Sequence, residues 1–197
     1  GVAGSVPVER CWNKKKKSLM FIGRIDKKKG VLELVNAWNE ITHRHGWSLD
    51  IYGWGDEKYI EKVNLAINSS QNSDVTFHGE CYGNAKHLSL LHADAFVLPS
   101  FSEGLPMAVL EAWAYGLPAL LTAECNLPDG FHQGAAEQLY LEHSILVAGL
   151  ERFISKSPDE LKEMSHAAQH LIEKSYLWHN IGSEMKDSYT KVLLGSL

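Results

Sequence analysis

The stretch "ADAFVLPSFSEGLPMAVLEAWAYGLP", Ala93 to Pro118, holds the unit on which the reading of the fold turns. A short apolar run, Ala95 to Ser100, reads as a buried strand ending on Pro99. A polar loop with one glycine follows, and Pro106 to Tyr115 then carries apolar residues at helical spacing until Gly116 stops it. The next apolar run, Pro118 to Thr122, is again strand-like. Strand, loop, helix and strand in that order make a βαβ unit, which requires a parallel sheet.

The same alternation extends in both directions. Upstream, strands are expected at Ser18–Gly23, Trp47–Gly53 and Asp74–Gly79. Helices are expected at Gly30–His45, Glu57–Asn68 and Lys86–His92; the first has Val31, Leu34, Val35, Trp38 and Ile41 on one stripe. Downstream, a strand near Gln138–Leu141 completes a sheet of about six strands. Helical patterning then runs over Glu142–Ser155, Pro158–Lys174 and Trp178–Leu194. The fold class is α/β, a Rossmann-like three-layer αβα arrangement. Residues 1–17 read as a linker or the remnant of an interdomain connection, with a solvated lysine run at Lys14–Lys17, 18–174 as the Rossmann-like domain, and 175–197 as a C-terminal helix.

Composition narrows the function. A length of 197 residues with 45% hydrophobic content supports a normal packed core. A net charge of −5 argues against a general nucleic-acid binder, which needs a basic face. The three cysteines, Cys11, Cys81 and Cys125, have no paired spacing of the kind that marks a zinc site or a disulfide framework. That usage suggests a reducing, cytoplasmic setting. No run has the length of a membrane span and no signal peptide is recognised, while the start at Gly1 reads as a piece of a longer protein.

In an open parallel sheet, ligands bind outside the carboxyl ends of the strands. The unusual residues all fall in those loops: "GRIDKKKG" (Gly23–Gly30), "GWGDE" (Gly53–Glu57), "HGECYGN" (His78–Asn84) and "SFSEGLP" (Ser100–Pro106). In the last, Pro106 suits the first helical position and Gly104 lets backbone approach a ligand. The amides of Gly104, Leu105, Met107 and Ala108 then face outward at the positive end of the helix dipole, a ready anion site for phosphate. Glu111 lies one turn beyond Met107 and tilts back toward the same region. A carboxylate there suits a neutral diol such as ribose, with Glu103 on the far side of the phosphate where a sugar would hang. On spacing alone, a capping acid plus an exposed helical glutamate is an equal reading. Arg24 and Lys29 would clamp a diphosphate against the helix start, although a lysine-rich surface loop has the same composition. "GWGDE" lacks the third glycine of a dinucleotide fingerprint and is more simply a tight turn. His43 and His45 read as solvated, His78 as a strand-end histidine near the crevice, and no metal site is expected.

These residues together resemble a known family. "FIGRIDKKKG", "LDIYGWGDE", "VTFHGECYGNAK", the quoted βα unit and "LTAECNLPDG" are similar, over about Leu19 to Gly130, to the C-terminal half of retaining glycosyltransferases of family 4, also called glycosyl transferases group 1, with the GT-B fold. The element E-x7-E, Glu103 to Glu111 after a strand ending "PS", is its most specific part. The resemblance implies two Rossmann-like domains facing across a cleft, of which this is the donor-binding one. It implies transfer of a hexose from a UDP, GDP or ADP sugar to an acceptor hydroxyl, with retention of configuration and no metal or other cofactor. Arg24, Lys29 and Glu103 take catalytic roles; Gly23, Gly53, Gly104, Leu105, Pro106, Met107, Glu111 and Asn126 take donor-binding ones, Asn126 as the weakest. The acceptor, a glycan or lipid-linked molecule, would be held by an N-terminal domain outside these residues. Polysaccharide or lipopolysaccharide synthesis is a common family role and would place the enzyme peripherally at the inner face of a membrane. A glycoside hydrolase also pairs carboxylates but gives no reason for the two cations and the phosphate-ready helix. A non-catalytic nucleotide-sugar binding module remains the alternative.

Overall fold

A computed structural model describes residues 1–69, 74–180, 182, 185 and 186. Six strands form one fully parallel sheet: β1 (Lys17–Ile22), β2 (Trp47–Tyr52), β3 (Val75–Gly79), β4 (Ala95–Leu98), β5 (Ala119–Thr122) and β6 (Ala136–Leu139). Their spatial order is β3-β2-β1-β4-β5-β6. The helices are α1 (Val31–Glu40), α2 (Glu57–Ser69), α3 (Gly83–His92), α4 (Met107–Ala114), α5 (Pro128–His132), α6 (His143–Ile154) and α7 (Pro158–Leu171). On one face α1 packs on α2 and α6; on the other, α7 packs on α4 and α5. The three-layer α/β expectation is therefore met.

Burial explains why each run takes its place. β4 and β5 are buried at every residue, as strands covered on both faces must be. β2 buries Trp47, Leu49 and Ile51 in alternation, and Leu19 of β1 aligns with Leu49, as Phe21 does with Ile51. Toward the centre Leu19 aligns with Ala95 and Met20 with Phe96. Trp38, Trp47 and Trp113 are among the largest fully buried side chains, and the Trp47 indole donates to the Ile154 carbonyl at 3.0 Å.

Several boundaries differ from the sequence reading. The first helix stops at Glu40 rather than His45, because Ile41 turns extended (φ −68°, ψ 120°) to stay buried, and His45 adopts a left-handed φ of 50°. α3 begins at Gly83, before Lys86, and β6 begins at Ala136 rather than Gln138. Pro106 is the N-cap of α4 rather than its first helical residue: its ψ of 93° is extended, and its carbonyl accepts from Val109 and Leu110. "NLPDG" is not a plain loop, since Pro128 opens α5. α7 starts with a capping box between Ser157 and Glu160, in which the Ser157 backbone and hydroxyl hold the Glu160 carboxyl below its ordinary range. It passes into a π-helical turn, Ile172–Tyr176. Residues 178–180 are helical, and most of the expected final helix lies outside the described residues.

The first residues pack on the body. Val2 pairs with Leu177 in a parallel bridge, its amide donating to Tyr176 at 2.9 Å and its carbonyl accepting from Trp178 at 3.1 Å. Val6 donates to the Ala114 carbonyl at 2.7 Å. Within the lysine run only Lys15 and Lys16 are exposed; Lys14 pairs with Asp94 at 2.7 Å, and Lys17 sits over the Trp47 ring. Among the described residues no helix is long and apolar enough to cross a membrane.

Candidate functional site

The strand order reverses between β1 and β4, so the chain leaves β1 toward one face and β4 toward the other. The loops part there and leave a crevice at the carboxyl edge, the usual place for a ligand in such sheets. Two glycines bring its walls together. Gly30 has φ 67°, and a Cβ on it would lie 2.0 Å from the Pro99 carbonyl oxygen at the end of β4. Gly53 has φ 157°, and its Cβ would lie 1.9 Å from the Gly23 carbonyl oxygen. The loops after β1, β2 and β4 therefore touch backbone to backbone. Asp26 caps the short 3-10 turn Lys27–Lys29 through the Lys28 amide, and the Lys28 carbonyl accepts from Phe101 at 2.7 Å.

That contact delivers Lys29 to Glu103, with Nζ and Oε1 2.5 Å apart. The same Oε1 accepts from the Ser100 hydroxyl at 2.6 Å, and the Glu103 side chain is only 10% exposed. Its backbone is fixed as firmly. The Glu103 amide donates to the Glu124 carbonyl at 3.0 Å, and Asn126 Nδ2 donates to the Glu103 carbonyl at 2.5 Å. Asn126 sits in the left-handed region with φ 55°, which turns its amide back toward that carbonyl. Behind it, burial pushes the Cys125 thiol above its ordinary range, so it stays protonated.

The other candidates are distributed around this centre. Arg24 is 66% exposed and pairs with Asp26 at 3.6 Å. Leu105 and Met107 are exposed beside the start of α4, whose Met107 and Ala108 amides precede the first intrahelical bonds, and a Cβ at Gly104 would meet nothing within 4 Å. Glu111 is not joined to Glu103; it pairs with Lys86 in the first turns of α3. His78 stacks on Tyr52, ring centroids 4.4 Å apart, and bonds Asp50 at 2.7 Å. Among the described residues no three His, Cys, Asp or Glu side chains are grouped to hold a metal.

Sequence reasoning thus found Lys29 and Glu103, which the structure joins, and missed Ser100, Glu124 and Lys86 as their and Glu111's partners. Ser100 stood inside the quoted motif, and a serine just before the loop was a usable signal. Lys86 lies on another helix at no recurring spacing. Trp54 and Tyr82, exposed at the same edge with rings 5.5 Å apart, were likewise unassigned. The arrangement offers cations and a helix start to an anion, and two carboxylates to hydroxyl donors.

Comparison with known proteins gives this geometry its kin. An uncharacterized glycosyltransferase of Methanocaldococcus jannaschii is 29% identical over 176 residues, covering 88% of this chain and 44% of that protein. One of Haemophilus influenzae is 31% identical over 197 residues, covering 92% and 51%. The chain therefore spans about half the length of the curated relatives it matches. Among solved structures, a sucrose-phosphate synthase from Thermosynechococcus elongatus superposes with a TM-score of 0.77 at 19% identity, over 91% of this chain and 46% of that one. Anabaena Alr3699/HepE, solved with UDP and glucose, does so at 0.76 and 14% identity, over 89% and 48%. Both share its fold. The sequence profile described as glycosyl transferases group 1 matches residues 7–171, and the chain belongs to that family.

Proposed function

We propose that this chain is the donor-binding half of a retaining glycosyltransferase that moves a hexose from a nucleoside diphosphate sugar to an acceptor hydroxyl. The observation that carries the reading is the junction of Lys29 with a nearly buried Glu103 at the sheet's switch point, beside the start of α4. The structural neighbour solved with UDP and glucose supports the choice of ligand class.

The chemistry follows from the side chains. The bond between the sugar C1 and the β-phosphate oxygen breaks, and a bond from C1 to the acceptor oxygen forms on the same face. The acceptor proton passes to the departing phosphate oxygen. Negative charge grows on the diphosphate, where Lys29, Arg24 and the α4 amides stabilise it, a role that these groups fill without a divalent ion. The second and third N–H of Lys29 are available to phosphate while the first holds Glu103. Glu103 accepts from hydroxyls of the transferred sugar, and Glu111 from those of the ribose. A second domain supplies the acceptor contacts, and synthesis of a cell-surface polysaccharide or lipopolysaccharide at the inner face of a membrane is the setting.

The test is calorimetric titration with UDP, GDP and ADP, repeated on Lys29→Ala and Glu111→Ala. One nucleotide is expected to bind, and each substitution to weaken it by about tenfold or more, the loss of a charge-assisted contact. Binding of none, or binding indifferent to both substitutions, would sink the assignment.

A further inference from the structure

The seam between α3 and α4 is tied at three heights. At the top, Lys86 Nζ pairs with Glu111 Oε2. Below, His87 Nδ1 and the Tyr115 hydroxyl lie 2.6 Å apart. At the base, the Arg10 guanidinium donates to the carbonyls of Leu90 and Ala93 near the end of α3 and of Tyr115 at the end of α4. Glu111 and Tyr115 are four apart on α4, so they present one face to α3. A cavity of about 380 Å³ lies between this seam and the first residues of the chain, with Val2 and Gly4 on one side and Lys86, His87, Met107 and Glu111 on the other.

Lys86 closes the stretch "VTFHGECYGNAK", but the sequence reading gave it no role at the site. Its pair with Glu111 is partly solvated, the two side chains being 28% and 34% exposed. Pairs of that kind contribute about 1 kcal/mol or less to folding, so stability is a weak reason for it. It answers a need of the site instead. Glu111 carries a negative charge one turn from the helix start at which a diphosphate is read, and a carboxylate on a helix turns freely unless something holds it. Lys86 takes Oε2, leaving Oε1 to accept from a hydroxyl, and the lower ties fix the helix that carries the lysine.

We propose that Lys86 is a positioning residue for the nucleoside diphosphate: it orients the Glu111 carboxylate toward the ribose hydroxyls and offsets its charge beside the phosphates. This rests on the donor-site reading above. The discriminating quantity is the preference for a ribonucleotide over its 2′-deoxy counterpart, because the two carry the same charge and a general attraction cancels in the ratio.

The experiment titrates the chain with UDP, GDP, ADP and their 2′-deoxy forms, then repeats the binding pair on Lys86→Met, Lys86→Arg and Glu111→Gln. Circular dichroism and urea unfolding check each fold. The unaltered chain should prefer the ribonucleotide by about five- to tenfold, the size of one hydrogen bond. Lys86→Met should lower that preference to about twofold or less, Lys86→Arg should restore it, and adding Lys86→Met to Glu111→Gln should lower it no further. A preference unchanged in Lys86→Met, even with affinity for both forms reduced, would overturn the role. If the unaltered chain binds none of the three nucleotides, the donor site itself falls and this role with it; the first titration therefore tells the two failures apart. Should Lys86→Met not fold, Lys86→Gln takes its place, with the same loss of preference expected and an unchanged preference again overturning the role.

Discussion

At the scale of single residues, Glu103 is held more completely than a surface glutamate needs to be. Lys29 and Ser100 share one of its oxygens, while Glu124 and Asn126 fix its backbone on either side. Ser100 is fully buried, and its carbonyl in turn accepts from the buried Thr122 hydroxyl at 2.6 Å. Ser100→Ala should thus leave a nearly buried carboxylate short of one donor. A loss of about 1 to 3 kcal/mol in urea unfolding is expected, as for hydrogen bonds to charged groups; a change below about 0.5 kcal/mol would mean that Lys29 alone positions Glu103. The pair of glutamates was legible in the sequence because a helix and its preceding loop are local, and so was the cation from the β1 loop, since sheet topology sends both loops to one edge. Lys86 was not legible. Its meeting with Glu111 depends on how two helices lie side by side, which neither periodicity nor composition encodes.

At the scale of elements, the strands at the middle of the sheet were legible because each is an apolar run bounded by turn residues, whereas β6, Ala136–Leu139, holds Glu137 and Gln138 and was placed two residues late. The misjudged ends have local causes. Ile41 belongs to the apolar stripe of α1 yet is buried in extended conformation, so periodicity overran the helix. α5 has five residues, too few to show a period, and only Pro128 marked its start. One glycine, Gly30, couples element to site, ending the Lys27–Lys29 turn and opening α1 against Pro99. Gly30→Ala would combine a left-handed φ with a Cβ 2.0 Å from a backbone oxygen, so the turn must move. A destabilisation of about 2 to 4 kcal/mol is expected, together with weaker nucleotide binding as Lys29 draws back. Retention of full stability would show that α1 can shift away from β4 at little cost.

At the scale of the whole molecule, the segment before β1 was read as a linker, and only the contacts of distant residues reveal how it is attached. Arg10 is its anchor. Burial lowers its guanidinium to about 10, against the upward pull of Asp94, so it remains charged at neutral pH. A cation at the carbonyl ends of α3 and α4 meets the negative poles of both dipoles. Arg10→Met should remove those bonds and lower the melting temperature by about 5 to 10 °C, with faster proteolysis within residues 1–13; an unchanged melting curve would make the anchor dispensable. The bridge between Val2 and Leu177 has a further consequence, in the order of events rather than in energy. Residues near the start of the described chain have their partners near its end, Tyr176 to Trp178, with Ala114 between. Such a contact closes the longest loop in the described chain and must come late. During synthesis the seam of α3 and α4 is therefore finished, and its lower end covered, only after α7 has emerged.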